Sequence, residues 1–460
     1  MSLTRRRLAA TAAALPLIAQ APRTRAPEPP ADLTLILMGD LHSGYRWSSR
    51  LLRAVSDAVA TARGPVRIVV NGDVFEGNNI LARRTRGSID FALLRRFAAL
   101  APTLVTIGNH DSDLFDPLEF VSAVNATGAR VVSDIADPRR HGPYAARTDA
   151  IVLPGGQRVV FAAIGTPDLS IYPPAMRPFY DVPDPARYAA RDVPALIGGA
   201  ALPVLLVHAG FQADRAVLAA LPPGPVLLHG AHDHLRFTQP LGNGLHLQSG
   251  AWSSAFQIAT IRFESGTPRF VVRDVVLGQE SPADPALQAM IDREAAAHLR
   301  PEDRAVIGQL DRALALEDAI RRVADRMRQD TGCDLALLSH TTFGDGLPAG
   351  DVTQFDRAGF LRFDGGVATG EIAQDRLPFL LARLNQFDGV TAYNRRTGDY
   401  LHPSDLTALP ASRPVRVAVN AYAASSSAIR RALFGWDVPG FQPSAGGPKL
   451  SHLTEAAING

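Results

Sequence analysis

Seven residues in five short segments of the chain carry side chains of the kinds that bind divalent metal ions. Along the sequence they are Asp40, His42, Asp73, Asn109, His208, His232 and His234. Two divalent ions that share a bridging carboxylate require about this many oxygen and nitrogen ligands. A single fragment such as Gly-Asp is common in proteins, but the ordered set, ending in His-x-His after an apolar run, is specific. The set therefore predicts a dinuclear metal site.

A dinuclear site of this kind suits the hydrolysis of phosphate esters, which are anionic and resist attack by water. Two ions about 3.5–4 Å apart can hold a bridging hydroxide, lower the pKa of the parent water toward about 7 and neutralise the phosphoryl oxygens. Asp73 is the natural shared carboxylate. Imidazole and carboxylate ligands suit Mn, Zn, Fe, Co and Ni alike, so the sequence leaves the identity of the two divalent ions open.

His110 follows Asn109 directly and is expected beside the phosphoryl group. There it would stabilise developing charge or protonate the leaving oxygen. Asp113, three residues later, would hold the imidazole in its productive orientation, so we predict both residues to be catalytic. Glu76 is either an outer partner of the site or an ordinary turn or surface residue. Three further polar residues are predicted to be structural or to support the ligands: Asp111, His229 and Asp233.

The candidate ligands follow apolar segments that have the length and composition of buried strands. Five such segments run directly into polar residues of the site: residues 33–38, 66–70, 104–107, 204–207 and 226–228. In an open α/β sheet the carboxyl ends of the strands form the site, so these side chains are expected to lie together. Three other strands are predicted, the last two as closing antiparallel strands: residues 159–164, 245–250 and 256–263.

The spacing of apolar residues predicts helices at residues 49–63 and 89–100. Residues 166–194 are rich in Pro, Tyr and Asp and predict a long loop near the site. Residues 285–330 have helical periodicity with one break at Pro301. A second α/β unit is predicted to begin with two elements, a helix at residues 317–331 and a strand at residues 334–339.

The bulk composition is that of a globular protein, with 460 residues of which 46% are apolar and 20% charged. Residues 1–26 hold five of the 47 basic residues and no acidic one, which leaves 42 basic against 45 acidic groups in the remainder. This slight acidity argues against binding to nucleic-acid polymers. Cys333 is the single cysteine. It cannot form an internal disulfide, and a small buried position is expected for it.

The N-terminus has the charged-then-apolar layout of an export signal. Thr4-Arg5-Arg6-Arg7-Leu8 resembles a twin-arginine signal, and residues 8–19 are apolar but too short for a stable membrane anchor. Ala19-Gln20-Ala21 resembles a cleavage site, but Pro22 follows it, so whether the signal is removed stays open. We expect an exported protein, periplasmic or extracellular, with no other membrane-spanning segment. The alternative is a disordered basic tail.

With these segments in view, the chain resembles the calcineurin-like metallophosphoesterase superfamily and, more narrowly, the 5′-nucleotidase family. Gly77 follows Asp73 as in the family's GDxxxG motif, and Asp113 lies three residues after His110. In the second half, Leu347-Pro348-Ala349-Gly350 matches the family's LPAG turn, and Asn420-Ala421-Tyr422 resembles its NxY/NxF segment. The resemblance covers nearly all of residues 33–440.

The resemblance implies an α/β fold in which a four-layer α/β/β/α sandwich of the metallophosphoesterase type precedes a smaller α/β domain. The expected division is an export signal and Pro-rich linker at residues 1–30, a dimetal phosphoesterase domain at 31–280, a helical connector at 281–316 and a 5′-nucleotidase-like substrate domain at 317–460. The resemblance also implies two ligand sets, which are Asp40, His42, Asp73 and His234 for one ion and Asp73, Asn109, His208 and His232 for the other.

The second domain departs from the family pattern at two positions that contact substrate. The family has an arginine before its LPAG turn and an aspartate after its NxY/NxF segment, where this chain has Gly344 and Ala428. A glycine cannot supply the bidentate charged grip of a guanidinium. Tyr422 is a candidate for stacking on a base or, equally, a core aromatic residue. Five others either form a different substrate surface or have ordinary structural positions: His340, Phe343, Asp345, Arg430 and Arg431.

The resulting expectation is an exported dimetal hydrolase of the 5′-nucleotidase family that cleaves phosphate monoesters, of nucleotides or related compounds, by attack of a metal-bridging hydroxide. Its expected partner is a small-molecule phosphoester, and its oligomeric state is open. One alternative keeps the metal site but changes the substrate to a non-nucleotide ester, either another phosphoester or a thiosulfohydrolase-like substrate. A second alternative is a non-catalytic metal-binding protein, and the intact ligand set with His110 and Asp113 argues against it.

Overall fold

A computed structural model describes residues 31–140, 142–384, 391–398, 400–407, 409–438, 440–444 and 447–460. The predicted export signal and linker at residues 1–30 lie outside the described residues. The strands of the first part are β1 (Leu33–Gly39), β2 (Val66–Asn71), β3 (Thr103–Val105), β4 (Arg130–Val131), β5 (Ala136–Asp137), β6 (Gly142–Pro143), β7 (Thr148–Val152), β8 (Arg158–Gly165), β9 (Leu202–His208), β10 (Leu227–Ala231), β11 (Arg236–Leu241), β12 (Gly244–Ser249), β13 (Ala255–Glu264) and β14 (Thr267–Val276).

Two six-stranded sheets are built from these strands, in the orders β14-β13-β1-β2-β3-β4 and β11-β12-β10-β9-β8-β7. In the first sheet β1, β2, β3 and β4 are parallel, and β13 is antiparallel to both β1 and β14. In the second sheet β12, β10, β9 and β8 are parallel, and the edge strands β11 and β7 are antiparallel to their neighbours. The helices of this part are α1 (Tyr45–Thr61), α2 (Ile80–Thr85), α3 (Ser88–Leu100), α4 (Pro117–Asn125), α5 (Pro185–Arg191), α6 (Val193–Leu196), α7 (Phe211–Ala220) and α8 (Pro285–His298).

The alternation of side chains along β1 shows why the two sheets and the helices form four layers. Leu35 and Leu37 belong to a core that also contains Phe161 and Leu206 of the other sheet. Ile36 and Met38 point to the opposite side and join the core beneath α1, α3 and α4. Successive side chains of a strand face opposite ways, so a strand buried on both faces is apolar throughout. The far face of the second sheet packs on α5, α6 and α7, which completes the predicted α/β/β/α sandwich.

The second part contains a five-stranded sheet in the order β19-β16-β20-β18-β21, with β16 and β20 parallel, and a two-stranded sheet of β15 and β17. Its strands are β15 (Val306–Leu310), β16 (Leu335–Ser339), β17 (Gly350–Thr353), β18 (Val367–Ile372), β19 (Leu401–Pro403), β20 (Val415–Asn420) and β21 (Gln442–Pro443). Its helices are α9 (Leu316–Thr331), α10 (Gln354–Phe360), α11 (Leu377–Leu381), α12 (Ala421–Ala424), α13 (Ser427–Phe434) and α14 (Leu450–Asn459).

Helices cover both faces of the five-stranded sheet. Ala336 and Leu338 of β16 lie in a core shared with α9 and α14, whereas Leu335 and Leu337 join a core that includes α13. Cys333 is buried beside the start of β16, as expected from the sequence. The predicted fold class, a four-layer sandwich followed by a smaller α/β domain, is confirmed. None of the described helices has the length and apolar character needed to cross a membrane.

Three predictions of secondary structure need correction. The strand at residues 245–250 was expected to be antiparallel, but β12 is antiparallel only to β11 and runs parallel to β10. Residues 285–330 are not continuous helix around Pro301, because β15 lies between α8 and α9 and pairs with β17. The loop at 166–194 contains α5 and two 3₁₀ turns, Leu169–Ile171 and Arg177–Phe179. The predicted domain boundaries stay predictions, although α8 contributes Leu287 and Ile291 to the first core.

Asn71, the last residue of β2, joins the two sheets at the edge where the site lies. Its Nδ2 donates to the carbonyl oxygens of Val207 (3.1 Å) and His229 (2.8 Å), which belong to β9 and β10. Its Oδ1 accepts a hydrogen bond from the Thr106 hydroxyl (2.9 Å). These bonds satisfy a fully buried amide. They also hold the carboxyl ends of strands from both sheets in one place.

Candidate metal centre and the arginine beside it

Two groups of side chains converge at the carboxyl ends of the central strands. One group consists of Asp40, His42 and His234, and the other of Asp73, His208 and His232, with the candidate ligand atoms of each group within 4.8 Å of one another. Nε2 of His42 and Nε2 of His234 are 2.9 Å apart. Ligand atoms bound at about 2.0–2.2 Å to one ion are separated by about 3 Å, so this spacing suits two imidazoles on a common ion.

Asp73 lies between the two groups. Its Oδ2 is 3.7 Å from Nε2 of His42 and 3.2 Å from Nε2 of His208. Asn109 Oδ1 is buried and has no hydrogen-bond partner among the described residues, while Asp73 Oδ2 and His208 Nε2 are buried and meet each other as an ion pair without hydrogen-bond geometry. Buried polar atoms are normally satisfied, so three inward-facing atoms of this kind fit the binding of cations. The donor set of imidazole, carboxylate and amide suits the transition metals predicted from the sequence.

The backbone at the site is held in an uncommon conformation. Five of the seven candidate ligands have positive φ angles: Asp40 (52°), His42 (46°), Asp73 (50°), His232 (90°) and His234 (60°). Each such non-glycine residue costs roughly 1–3 kcal/mol and persists only where its surroundings impose it. Residues in this left-handed conformation cluster at functional sites.

Neighbouring groups orient the candidate ligands. Nδ1 of His208 bonds to the carbonyl oxygen of Asn71 (2.8 Å), which leaves its Nε2 facing the site. A hydrogen bond to the second ring nitrogen is the usual way a protein sets the tautomer of a ligand histidine. Asp111 accepts bonds from the backbone N–H groups of Val74 and Gly108 (both 2.8 Å), which fixes the Asp73 loop to the Asn109 loop. The supporting role predicted for Asp111 agrees with these bonds.

Burial and the neighbouring carboxylates divide the histidines by charge. Burial lowers the pKa of His42 to about 4 and that of His232 to about 3, so both are neutral near pH 7, the form that binds metal. Burial also lowers the pKa of His208, but the Asp73 carboxylate outweighs it and the net pKa rises to about 10. A proton on His208 offsets the negative charge of the Asp73 carboxylate. A bound cation would offset the same charge in place of that proton.

His110 and Asp113 form the predicted pair. Nδ1 of His110 is 2.9 Å from Oδ2 of Asp113, which also accepts a hydrogen bond from the backbone N–H of Gly77 (3.0 Å). A Cβ atom at residue 77 would lie 2.6 Å from the same oxygen, so only glycine permits this approach. The pKa of His110 rises to about 9, because Asp73, Glu76 and Asp113 together outweigh the effect of burial. The glycine of the GDxxxG motif thus makes room for the aspartate that orients His110.

Arg362 of the second domain reaches this pair, although no sequence motif marks it. Its side chain is almost fully buried, and Nε and Nη2 each lie 3.0 Å from Oε2 of Glu76. Nη2 is also 2.9 Å from Nε2 of His110. Burial raises the pKa of Glu76, but Arg362 reverses this and lowers it below its usual range. Glu76, whose role was open, therefore links the first domain to an arginine of the second.

Trp252 separates the candidate ligands from the second domain. Its ring stacks on the His42 ring at 4.6 Å, and the Arg362 guanidinium lies 5.2 Å from its centroid. A Cβ atom at residue 344 would meet the Trp252 ring at 3.0 Å and the carbonyl oxygen of Gly359 at 2.3 Å. The position at which the family carries its arginine therefore has no room for any side chain in this protein.

The other predicted substrate residues do not form one surface. Phe343 is fully buried against Phe360 in the core of the second domain, so of the two positions predicted for it, it takes the structural one. His340 is buried, stacks on Tyr400 and lies 6.4 Å from the His234 ring. Tyr422 is 58% exposed on α12.

Asp345, Arg430 and Arg431 are engaged in ion pairs and hydrogen bonds elsewhere. The Asp345 carboxylate accepts a hydrogen bond from Trp47 Nε1 (2.9 Å) and pairs with Arg46 (3.5 Å), so it ties the two domains together. Arg430 and Arg431 of α13 both pair with Asp437. These contacts assign structural roles to three residues that the sequence left open. Next to this junction, a cavity of about 330 Å³ is lined by His42, Glu76, Trp252 and residues of both domains.

The comparisons with known proteins agree with this geometry. The family model for calcineurin-like phosphoesterases matches residues 33–234. A 5′-nucleotidase precursor from Thermus thermophilus is 20% identical, with a TM-score of 0.59 over 93% of this chain and 96% of that one. A sulfate thiohydrolase from Thermus thermophilus is 14% identical, with a TM-score of 0.61 over 94% and 95% of the two chains. A 5′-nucleotidase from Candida albicans is 14% identical, with a TM-score of 0.59 over 94% and 99%. No curated protein sequence matched the chain.

The protein thus contains a calcineurin-like phosphoesterase domain, and its whole described chain has the two-domain fold of the 5′-nucleotidases. The predicted superfamily is confirmed for this domain, whereas membership of the 5′-nucleotidase family stays a prediction that the fold agrees with. The domain and its two candidate ligand groups support a metal-dependent phosphoester hydrolase. At these levels of identity, the solved structures establish the fold and leave the substrate open.

Proposed function

We propose that the protein is an exported dimetal hydrolase that releases phosphate from monoesters, either nucleotides or related small molecules. The observation that carries the proposal is the convergence of two ligand groups on either side of Asp73, with His110 and Asp113 beside them. Export is supported by the basic and then apolar pattern of residues 4–19.

The residues of the proposed site have separate roles. One ion would be held by Asp40, His42, Asp73 and His234, and the other by Asp73, Asn109, His208 and His232. When bound, the two ions supply an activated water and neutralise charge on the phosphoryl oxygens. Asp113 fixes the His110 ring through Nδ1, so that Nε2 is the atom that gives a proton to the leaving oxygen or stabilises its charge. Trp252 stacks on the His42 ring and the Arg362 guanidinium lies over Trp252, so both residues border the site on the side of the second domain.

A phosphate-release assay tests the proposal directly. Purified protein is loaded with Mn, Zn or Co and given AMP, a UDP-sugar, a 2′,3′-cyclic nucleotide and p-nitrophenyl phosphate. We expect metal-dependent release from at least one monoester, and loss of that release in Asp73→Asn and His110→Ala. Failure of every substrate with every metal would reject the function. Cell fractionation of the full chain, with Arg5 and Arg6 replaced by Lys as control, tests the export proposal.

A second candidate keeps the metal site and changes the substrate to a non-nucleotide ester, either a phosphoester or a thiosulfonate-type compound. The observation that favours it is the loss of both nucleotide-contacting positions, Gly344 and Ala428, the first of which has no room for a side chain. Activity on non-nucleotide esters, with none on AMP or UDP-sugars, would establish it over the first candidate.

A further inference from the structure

We propose that Arg362 is the residue of this protein that binds the anionic phosphoryl group of the substrate, together with His110. This inference rests on the proposed function and identifies a specificity-determining residue of the same site. It assigns the charge that is missing at Gly344 to a different segment of the second domain.

The position of the Arg362 guanidinium supports this role. Arg362 Nη2 and His110 Nε2 lie 2.9 Å apart, beside the two candidate ligand groups. His110 Nδ1 is engaged by Asp113, so Nε2 is the nitrogen that faces the arginine. Both groups are donors to a phosphoryl oxygen, since Arg has only N–H groups and His110 must present an N–H to act as an acid. In the structure Arg362 Nη2 donates to His110 Nε2, and a phosphoryl oxygen that replaced this contact would accept from Arg362 and, when Nε2 carries a proton, from His110 as well.

Contacts with other residues hold the guanidinium in place before substrate binds. Glu76 Oε2 receives both Nε and Nη2, and Nη1 donates to the carbonyl oxygen of Thr341 (3.2 Å). The guanidinium plane also lies over the rings of Trp252 and Phe363. A side chain held by so many contacts loses little conformational entropy on binding. Glu76 is thereby a positioning residue for Arg362.

The pairing of two neighbouring segments accounts for an arginine at position 362 rather than at 344. The two segments pair, because Gly344 N–H donates to Phe360 O (2.7 Å) and Arg362 N–H donates to Thr342 O (3.2 Å). Trp252 fills the space that a side chain at 344 would need. Arg362 reaches the site on the next segment and places its guanidinium over that same ring. The charge is therefore present in the second domain, on a neighbouring segment.

This arrangement defines a substrate class. A guanidinium next to two metal ions adds N–H donors and positive charge, partly offset by Glu76, where the phosphoryl oxygens would lie. A phosphate monoester carries up to two negative charges at phosphorus near neutral pH, whereas a diester carries one. The site with Arg362 is therefore selective for monoester dianions, and without it the preference for monoesters over diesters is reduced.

The experiment measures inorganic phosphate binding by calorimetry to the metal-loaded protein, in parallel with hydrolysis of p-nitrophenyl phosphate and bis(p-nitrophenyl) phosphate. The variants are Arg362→Met, Arg362→Lys and a matched arginine at the same domain junction, Arg46→Met. Arg46 pairs with Asp345 and Asp356 of the second domain, both at 3.5 Å. Metal content is measured for each variant, because Glu76 also lies 3.3 Å from His42.

We expect Arg362→Met to raise the phosphate Kd by about 10- to 100-fold, the range for a hydrogen bond to a charged group. Arg362→Lys should fall between Arg362→Met and wild type, and Arg46→Met should stay within about twofold of wild type. Three results would overturn the proposal: no phosphate binding by the loaded wild type, a Kd for Arg362→Met within about twofold of wild type, or an equal loss in Arg46→Met. If Arg362→Met fails to fold or load metal, unchanged binding by Arg362→Lys overturns it instead.

The same measurements separate this proposal from the proposed function. Wild-type protein that hydrolyses no ester would reject the function, while the phosphate Kd values would still decide the role of Arg362. Hydrolysis of monoesters by wild type, with unchanged Kd and unchanged monoester-to-diester ratio in Arg362→Met, would leave the function standing and reject the role of Arg362.

Discussion

The two sides of the candidate site are built in different ways. On the first-domain side, the candidate ligands lie at or directly after the ends of buried strands, and Asn71 ties the two sheets together beneath them. On the second-domain side, Arg362 and His340 lie on short connecting segments, and their positions depend on packing against Glu76, Trp252 and His234. Under the proposed function, the reaction would depend on side chains at the sheet edges, and substrate selection would depend on how the two domains meet.

Removal of the metal ions should have the largest effect, and it should act on the first-domain side of the site. A chelator should abolish hydrolysis and lower the free energy of unfolding by about 4 kcal/mol for each ion removed, relative to protein with free metal at about 1,000 times its Kd. Thermal or urea unfolding with and without metal measures the change. The Asp73→Asn variant serves as control, since chelation should destabilise it less. Equal unfolding curves for the two forms of the wild type would contradict a metal centre in the first domain.

Substitution of the shared carboxylate should have the next largest effect. Asp73→Asn removes the charge that lies between both ligand groups, so we expect the bound metal to fall below two ions per chain and kcat to drop by at least about 10³-fold. Metal analysis and steady-state kinetics give the two values. Asp149→Asn, at a buried aspartate that pairs with Arg130, is the matched control and should keep both. Retention of two ions and full activity in Asp73→Asn would refute the bridging role.

His110 separates catalysis from metal binding within the first domain. His110→Ala should lower kcat by about 10²-fold or more while metal content stays at two ions per chain. Asp113→Asn should cause a smaller fall, because the ring remains but its orientation is less restricted. A loss of metal in His110→Ala would show instead that this histidine supports the ligands.

The smallest effect is expected on the second-domain side and concerns stability. Gly344→Arg restores the residue of the family pattern, yet it must displace Trp252 or the Gly359 carbonyl group. We expect a loss of about 1–3 kcal/mol in unfolding free energy and no gain of nucleotide hydrolysis. Gly365→Arg, where a Cβ has nothing within 4 Å, is the control and should be neutral. A stable Gly344→Arg protein with new AMP hydrolysis would contradict the expectation that position 344 cannot accept the family's arginine.

The same contrast explains what the sequence could predict. The ligands of the first domain follow apolar runs of three to six residues, so local patterns were sufficient to place them at strand ends. Arg362 bonds with Glu76, 286 positions away, and with His110, 252 positions away, and no local pattern marks such contacts. Glu76 was ambiguous for the same reason, because its partner lies in the other domain.

The predictions for β15 and β12 needed correction for related physical reasons. β15 has only Leu310 buried and lies between two helices, so the helical periodicity of its neighbours was extended across it. The alternation of β12 predicted a strand, but the choice between a parallel and an antiparallel partner is made by the hairpin through β11. A burial pattern indicates that a segment is a strand, and long-range topology decides its direction.

The position of Trp252 gives the protein an optical reporter of its own state. The chain has three tryptophans, and two of them, Trp47 and Trp252, lie at the junction of the domains. The Trp252 indole touches the rings and charges that would change when cations or an anion arrive, and Trp47 bonds to a carboxylate of the second domain. Trp436 lies within the second domain and provides a steady background. Intrinsic fluorescence should therefore follow occupancy and domain separation in real time, without any attached dye.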